Sequence, residues 1–159
     1  MRYPAMRNVL AAIGFLAACF AISALGALAT AQSLGTWYQT LAKPSFNPPD
    51  WVFGPVWTTL YILIAISGWR VWRKTGFSDH KAFAAYGGQL LLNLLWSVLF
   101  FGLRQPALAM VGLIVLWIAI GANMILFARH DRTAALLLAP YLLWVSFAGL
   151  LNVAIVVLN

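Results

Sequence analysis

Acidic side chains are almost missing from this sequence. Its 159 residues include Asp50, Asp79 and Asp131 and not one glutamate. Histidine occurs twice and cysteine once. Metal, acid–base and thiol chemistry draw on those residue types, so most hydrolytic and redox mechanisms have too few groups to run. The lone Cys19 excludes an internal disulfide. Charge of either sign is scarce at 8%, against 64% hydrophobic residues and a mean hydropathy of +0.89. Soluble domains run at about 45–50% apolar and about 25% charged. A water-soluble fold is excluded.

What the sequence has instead is long apolar runs. A bilayer core about 30 Å thick takes roughly 20 apolar helical residues to cross. Five stretches qualify, at about Val9–Ala31, Gly54–Trp72, Phe83–Leu103, Ala107–Phe127 and Ala135–Leu158. Only the second carries a charge within its bounds, Arg70, near an end where the side chain can snorkel to the headgroups. The expected fold is an all-α integral membrane protein, a single domain over residues 1–159 built as a bundle of five transmembrane helices.

The net charge of +7 reports topology. Five spans put Arg2, Arg7, Arg70, Arg73, Lys74, Lys81, Arg129 and Arg132 on the N-terminal side and only Lys43 and Arg104 opposite. The positive-inside rule then sets the N terminus in the cytoplasm and the C terminus across a bacterial cell membrane. A nucleic-acid partner would need one contiguous basic face and is not expected. Arg2 and Arg7 ahead of a run ending Ala27-Leu28-Ala29-Thr30-Ala31 also read as a signal peptide. The run is longer than a signal core, which favours a retained helix.

The loop Gln32–Phe53, QSLGTWYQTLAKPSFNPPDWVF, is the longest connection. Pro44, Pro48 and Pro49 stiffen it into extended chain, and Thr36–Ala42 can form a short helix with Trp37 and Leu41 on one side. Two readings stand for its aromatics: an interfacial anchor or a lid over a cavity. Trp37, Trp51, Trp69 and Trp72 fit an interfacial belt. Trp96, Trp117 and Trp144 lie in mid-span, where an indole N–H wants a protein or ligand partner. Gln89, Asn93, Trp96 and Phe100 recur along one face of the third span, and Tyr141, Trp144, Ala148 and Asn152 along one face of the fifth. Such faces suit a polar-aromatic pocket, and equally suit interhelical hydrogen-bonding glue.

Pro140 should loosen the start of the fifth span, and Gly102 and Pro106 bracket a tight turn. No carboxylate or lysine sits at mid-membrane depth, so ion-driven transport is not expected. No two halves match, so the inverted-repeat transporter design has no support. His80 and His130, beside Asp79 and Asp131, read as solvated loop residues rather than metal ligands.

Three strings carry a resemblance: KPSFNPPDWVFGPVWTTLY (Lys43–Tyr61), GQLLLNLLWSVLFFGLRQ (Gly88–Gln105) and LLAPYLLWVSFAGLLN (Leu137–Asn152). They resemble the TspO/MBR family, which holds bacterial tryptophan-rich sensory proteins and the mitochondrial translocator protein. The resemblance runs from Trp37 onward in order and spacing. The first span matches in position rather than in letters; its small residues Ala17, Ala21 and Gly26 would permit close packing.

The resemblance implies a retained first span and a homodimeric receptor for tetrapyrroles such as protoporphyrin IX, with isoquinoline-carboxamide and benzodiazepine-type molecules as further ligands. It implies pocket positions at Trp57, Tyr61, Asn93, Trp96, Trp144, Ala148 and Asn152, under a lid carrying Phe46, Pro48, Pro49 and Trp51. No His, Cys or Met falls in those motifs, so no iron ligand, metal or resident cofactor is expected. Porphyrin would be a ligand held by shape and stacking. The tail Val153–Asn159 lacks the tyrosine and arginine of the mammalian cholesterol motif, which points to a bacterial member. No catalytic residue is expected for a receptor. The alternatives are a light- and oxygen-dependent porphyrin-degrading activity through Trp57 and Trp144, and a passive carrier.

Overall fold

The computed structural model describes residues 3–159, and side chains from Pro4 onward. Arg2 lies outside the described residues. The regular structure of the described residues is helical: α1 (Tyr3–Leu34), the single turn α2 (Trp37–Thr40), α3 (Phe53–Thr75), α4 (His80–Ser97), α5 (Pro106–Ala128), α6 (Arg132–Leu137) and α7 (Ala139–Leu158). A 3₁₀ turn at Asp50–Val52 leads into α3, and a π-helical turn at Val98–Gly102 prolongs α4. Five segments are long and apolar enough to cross a membrane: Pro4–Leu34, Asp50–Thr75, His80–Gly102, Pro106–Ala128 and Arg132–Leu158. The protein is a five-span helical membrane protein. Each span outruns its apolar stretch because the helix continues into polar flanks.

Helix ends follow local chemistry. Asp79 caps α4 by accepting from Ala82 N at 3.0 Å, and Asp131 caps α6 by accepting from Ala134 N at 3.2 Å. Gly76, at φ +60°, closes α3 in a conformation that costs a side chain strain. The turn before α5 places its left-handed residue at Arg104 (φ 56°), not at Gly102, and Pro106 starts α5. Pro140 does more than loosen the fifth span. The helix breaks at Leu138 into α6 and α7, and the proline sits in the first turn of α7, where it has no donor to offer.

α4 packs most extensively on α5, α1 on α3 and α5 on α7. At one end Trp69 Nε1 donates to Asn8 O, Arg7 lies 5.3 Å over Trp72, and His130 Nε2 pairs with Asp79 Oδ2 at 2.7 Å. Both His130 and Asp79 are half-buried by that pair, so His130 is not the freely solvated residue expected from sequence. At the other end Ser33 Oγ donates to Phe101 O, and Asn159 exchanges two hydrogen bonds with the backbone of Ala42. Arg7, Arg70, Arg73 and Lys74 thus gather at one end, with Lys43 and Arg104 at the other.

The basic-end half is solid. Phe83 and Tyr86 pack on Phe127 at 5.9 and 5.6 Å, and Phe15 meets Tyr86 at 5.8 Å. Gly68 lets Tyr86 and Phe15 approach, since a Cβ there would meet Tyr86 Cζ at 2.6 Å and Phe15 Cδ1 at 2.9 Å. On α1, Gly26 lies beside Ser97, whereas Ala17 and Ala21 are exposed.

Candidate functional site: an aromatic cavity beneath the first loop

The half of the bundle under the first loop is hollow. A cavity of about 560 Å³ is bounded by α1, α3, α4 with its π turn, α7 and the loop. That volume lies in the range that encloses a drug-sized ligand. Trp51, Trp57, Tyr61, Asn93, Trp96, Phe100, Trp144, Ala148 and Asn152 all line it. Trp96 stacks on Phe100 at 5.2 Å, Trp57 lies 5.6 Å from Tyr61, and Trp144 meets Phe53 edge-on at 5.9 Å. The aromatic faces are held by one another, so the cavity is rigid without being filled.

The amides in the wall are already engaged. Asn152 accepts from Trp96 Nε1 at 3.1 Å and donates to Pro106 O at 2.8 Å. Asn93 donates to the Tyr141 hydroxyl at 3.0 Å. Glue and pocket wall are therefore the same residues: hydrogen bonds between helices keep α4, α5 and α7 apart at a fixed spacing. Trp57 and Trp144 differ, because no protein acceptor engages either indole N–H among the described residues.

Five expected pocket and loop positions, and the mid-span Trp117, lie away from the cavity. Tyr141 is fully buried just beyond its floor, 6.2 Å from Trp57 and bonded to Asn93. Gln89 sits a turn deeper than Asn93, in the seam between α4 and α5. The antiparallel register that sets Tyr86 on Phe127 and Leu99 beside Gly112 places Gln89 level with Asn123. Both amides are fully buried without a hydrogen-bond partner among the described residues. Phe46 packs on Phe147 at 6.3 Å and stays half exposed, while Pro48 and Pro49 shape the loop without lining the cavity. Trp117 faces outward at 45% exposure, its N–H satisfied by Ser146 Oγ at 2.9 Å on α7.

The sequence reading missed the α1 wall. Ser23, Gly26, Ala27, Thr30, Ala31 and Leu34 all line the cavity, and their spacing of small residues at helical intervals was the available signal. It also missed Tyr38, Asp50 and Phe101. From the loop, Tyr38, Asp50 and Trp51 line one end of the cavity. Tyr38 packs 5.6 Å from Phe101, its hydroxyl donates to Asn47 Oδ1 at 3.1 Å, and Lys43 Nζ lies 4.7 Å over its ring. Burial, with the Asp50 charge close by, pushes the Tyr38 hydroxyl up from its ordinary value, so it stays a neutral donor. Gln39 Nε2 donates to Asp50 Oδ2 at 2.8 Å and closes the loop on itself. Trp51, 74% exposed, stands at the mouth. No group of three or more His, Cys, Asp or Glu side chains suited to a metal occurs among the described residues.

The model of the TspO/MBR family matches residues 15–158. The chain is 44% identical over 152 residues to the tryptophan-rich protein TspO of Archaeoglobus fulgidus, covering 96% of this chain and 99% of that one. It is 40% identical over 145 residues to the tryptophan-rich sensory protein of Cereibacter sphaeroides, covering 91% and 89%. It is 42% identical over 119 residues to the human translocator protein, covering 73% and 70%. With a family match that takes in four of its five spans whole and most of the first, the chain belongs to the TspO/MBR family.

Proposed function

We propose that this protein is a membrane receptor that binds a tetrapyrrole, with protoporphyrin IX as the test ligand, in the cavity beneath the first loop. The observation that carries this reading is the cavity of about 560 Å³ lined by Trp51, Trp57, Trp96 and Trp144. Flat conjugated rings stack on indole and phenol faces, and the indole N–H groups of Trp51, Trp57 and Trp144 remain to meet polar edges. Relatives named as sensory and translocator proteins support a sensing, trafficking or disposal role. The cluster of basic residues at one end supports a cytoplasmic placement of that end.

A passive carrier is the second reading, and one observation favours it. Ala27 and Ala31 on α1 and Gly54 and Thr58 on α3 line the cavity, are exposed, and put little side-chain bulk into the wall between those helices. An apolar ligand could reach the cavity between those helices from the bilayer.

The test is a protoporphyrin IX titration of detergent-solubilised protein, following tryptophan quenching in darkness and then under illumination. Trp144→Ala should weaken saturable binding about tenfold, the worth of a well-placed aromatic contact. Trp117→Phe, outside the cavity, should leave it unchanged. Equal curves for wild type and Trp144→Ala would remove the site. A new product spectrum under light that Trp144→Phe slows would replace the receptor with the degrading activity. Faster porphyrin equilibration into proteoliposomes than into protein-free liposomes would select the carrier.

A further inference from the structure

The opposite end of the bundle holds a second concave site, about 260 Å³, lined by Arg70, Arg73, Lys74 and Asp131. Three cations line a cleft with one carboxylate, which two of them engage. Asp131, 5% exposed, is saturated: Arg70 Nε and Nη2 each reach its Oδ2 at 3.0 Å, Lys74 Nζ reaches the same oxygen at 3.2 Å, and Ala134 N donates to Oδ1. Arg73 has no carboxylate partner among the described residues; its guanidinium lies 4.8 Å over Trp69. The cleft therefore keeps a net charge of +2 (three cations less one anion), with Arg73 and Lys74 exposed at its rim.

Below the cleft the surface turns apolar. Ile62 and Ile66 precede Arg70 and Arg73 on α3 at intervals of four, four and three, one stripe of the helix, and both isoleucines are exposed. α6 packs on α3, joined by Ser67 Oγ donating to Ala134 O at 2.7 Å. From α6 into α7, Leu136 and Leu143 are exposed at 68% and 71%. Trp69 and Trp72, at the same level as the cations, mark the headgroup depth. A cationic cleft between α3 and the start of α6, with exposed apolar residues further along both of those spans, has the layout of a diacyl lipid with an anionic headgroup.

From this arrangement we propose that the Arg70–Arg73–Lys74 cleft is a binding site for an anionic phospholipid, its phosphate held by Arg73 and Lys74 and its acyl chains lying against Ile62, Ile66, Leu136 and Leu143. This goes beyond the porphyrin reading and does not depend on it. Asp131 locks Arg70 in place and holds Lys74 on one side, with His130 O as its second acceptor at 3.2 Å, while the exposed ammonium still faces the rim beside Arg73. A phosphate diester supplies the anion that the cleft lacks, and a zwitterionic lipid adds a cation that it repels. Arginine meets phosphate oxygens in a fixed fork, and lysine adds a point charge.

The experiment is native mass spectrometry of the full-length detergent-purified protein with phosphatidylglycerol and phosphatidylcholine of identical acyl chains in competition. Two net cations near the headgroups predict a preference for phosphatidylglycerol of about thirtyfold. The Arg73→Gln, Lys74→Gln double variant should fall to near parity. The matched double variant at the other end, Lys43→Gln with Arg104→Gln, should keep the wild-type preference. Arg73→Lys preserves the charge and should retain most of it, which covers the case in which the glutamine variant folds poorly. A wild type without preference overturns the proposal, as does a preference that survives in the Arg73→Gln, Lys74→Gln protein. Retention of inorganic phosphate without selectivity between the two lipids would assign the cleft to free anions and overturn it equally.

Discussion

The two halves of this bundle use the same kinds of side chain to opposite ends. In the basic-end half a glycine removes volume so that rings close: Gly68 admits Tyr86 and Phe15. In the loop-end half Gly54 lines an open space, with nothing within 4 Å of where its Cβ would sit. Tyr86 and Phe127 stack on each other across α4 and α5, whereas Trp57, Trp96 and Trp144, each beside two neighbouring rings, still leave cavity wall behind. The difference teaches that aromatic content alone does not make a pocket. What holds the loop end open is the set of hydrogen bonds Trp96–Asn152–Pro106 and Asn93–Tyr141, which fix helix separation where packing would otherwise close it. What closes the basic end is packing, topped by the Asp131 ion pairs and the His130–Asp79 pair.

The sharpest way to break this contrast is at Asp131. Asp131→Ala removes a helix cap and strands Arg70 and Lys74, and should lower stability by about 3 kcal/mol, read as thermal unfolding in detergent. Burial raises the Asp131 carboxyl, but the Ala134 N–H, Lys74 and Arg70 outweigh it and hold it below its ordinary value of 3.8. A depressed carboxylate stabilises the fold above its unfolded pKa and loses that contribution as pH falls through the folded value. Wild type should therefore lose stability below about pH 4, a loss that Asp131→Ala should blunt. An unchanged acid profile in the variant would contradict the assignment.

Next in size is Gly68→Ala, which forces a methyl into Tyr86 and Phe15 and should cost about 2 kcal/mol. Gly54→Ala should be neutral or slightly stabilising, within about 0.5 kcal/mol. If both glycines respond alike, the solid and hollow halves are not different.

Trp96→Phe keeps a ring against Phe100 and removes the donor to Asn152. It should cost about 1 kcal/mol, the scale of a hydrogen bond between membrane helices, and should loosen the cavity. Gln89→Leu should go the other way, raising stability by up to about 1 kcal/mol, because a buried amide without a partner pays its desolvation unreturned. Porphyrin affinity should not move. A fall in stability there would mean that the Gln89 amide is paired after all.

The five spans were legible because apolar runs of bilayer length leave little else to be. Their boundaries ran short because hydropathy fades at Arg73 and Lys74 while the α-helix continues. The faces of α4 and α7 were legible from periodicity, yet periodicity gives direction and not depth. Gln89 and Tyr141 share their helices' inward faces but lie below the cavity floor, in the packed half. Trp117 has the protein partner expected of a mid-span indole, Ser146 on the next helix, but makes that bond at the surface rather than in the cavity. The α1 wall was invisible to a search for chemistry-bearing residues, since Gly26, Ala27 and Ala31 contribute space rather than groups. Phe46 was placed correctly in the loop and wrongly over the cavity; Phe147 holds it aside.

The most direct measurement sets Ala148→Leu beside Gly68→Ala and records protoporphyrin IX affinity and thermal stability for each. Ala148 lines the hollow half and Gly68 the solid one. The account predicts that Ala148→Leu weakens binding at least about tenfold with little change in unfolding temperature, and that Gly68→Ala lowers the unfolding temperature while the folded protein binds porphyrin as wild type does. Undiminished binding in Ala148→Leu would contradict it.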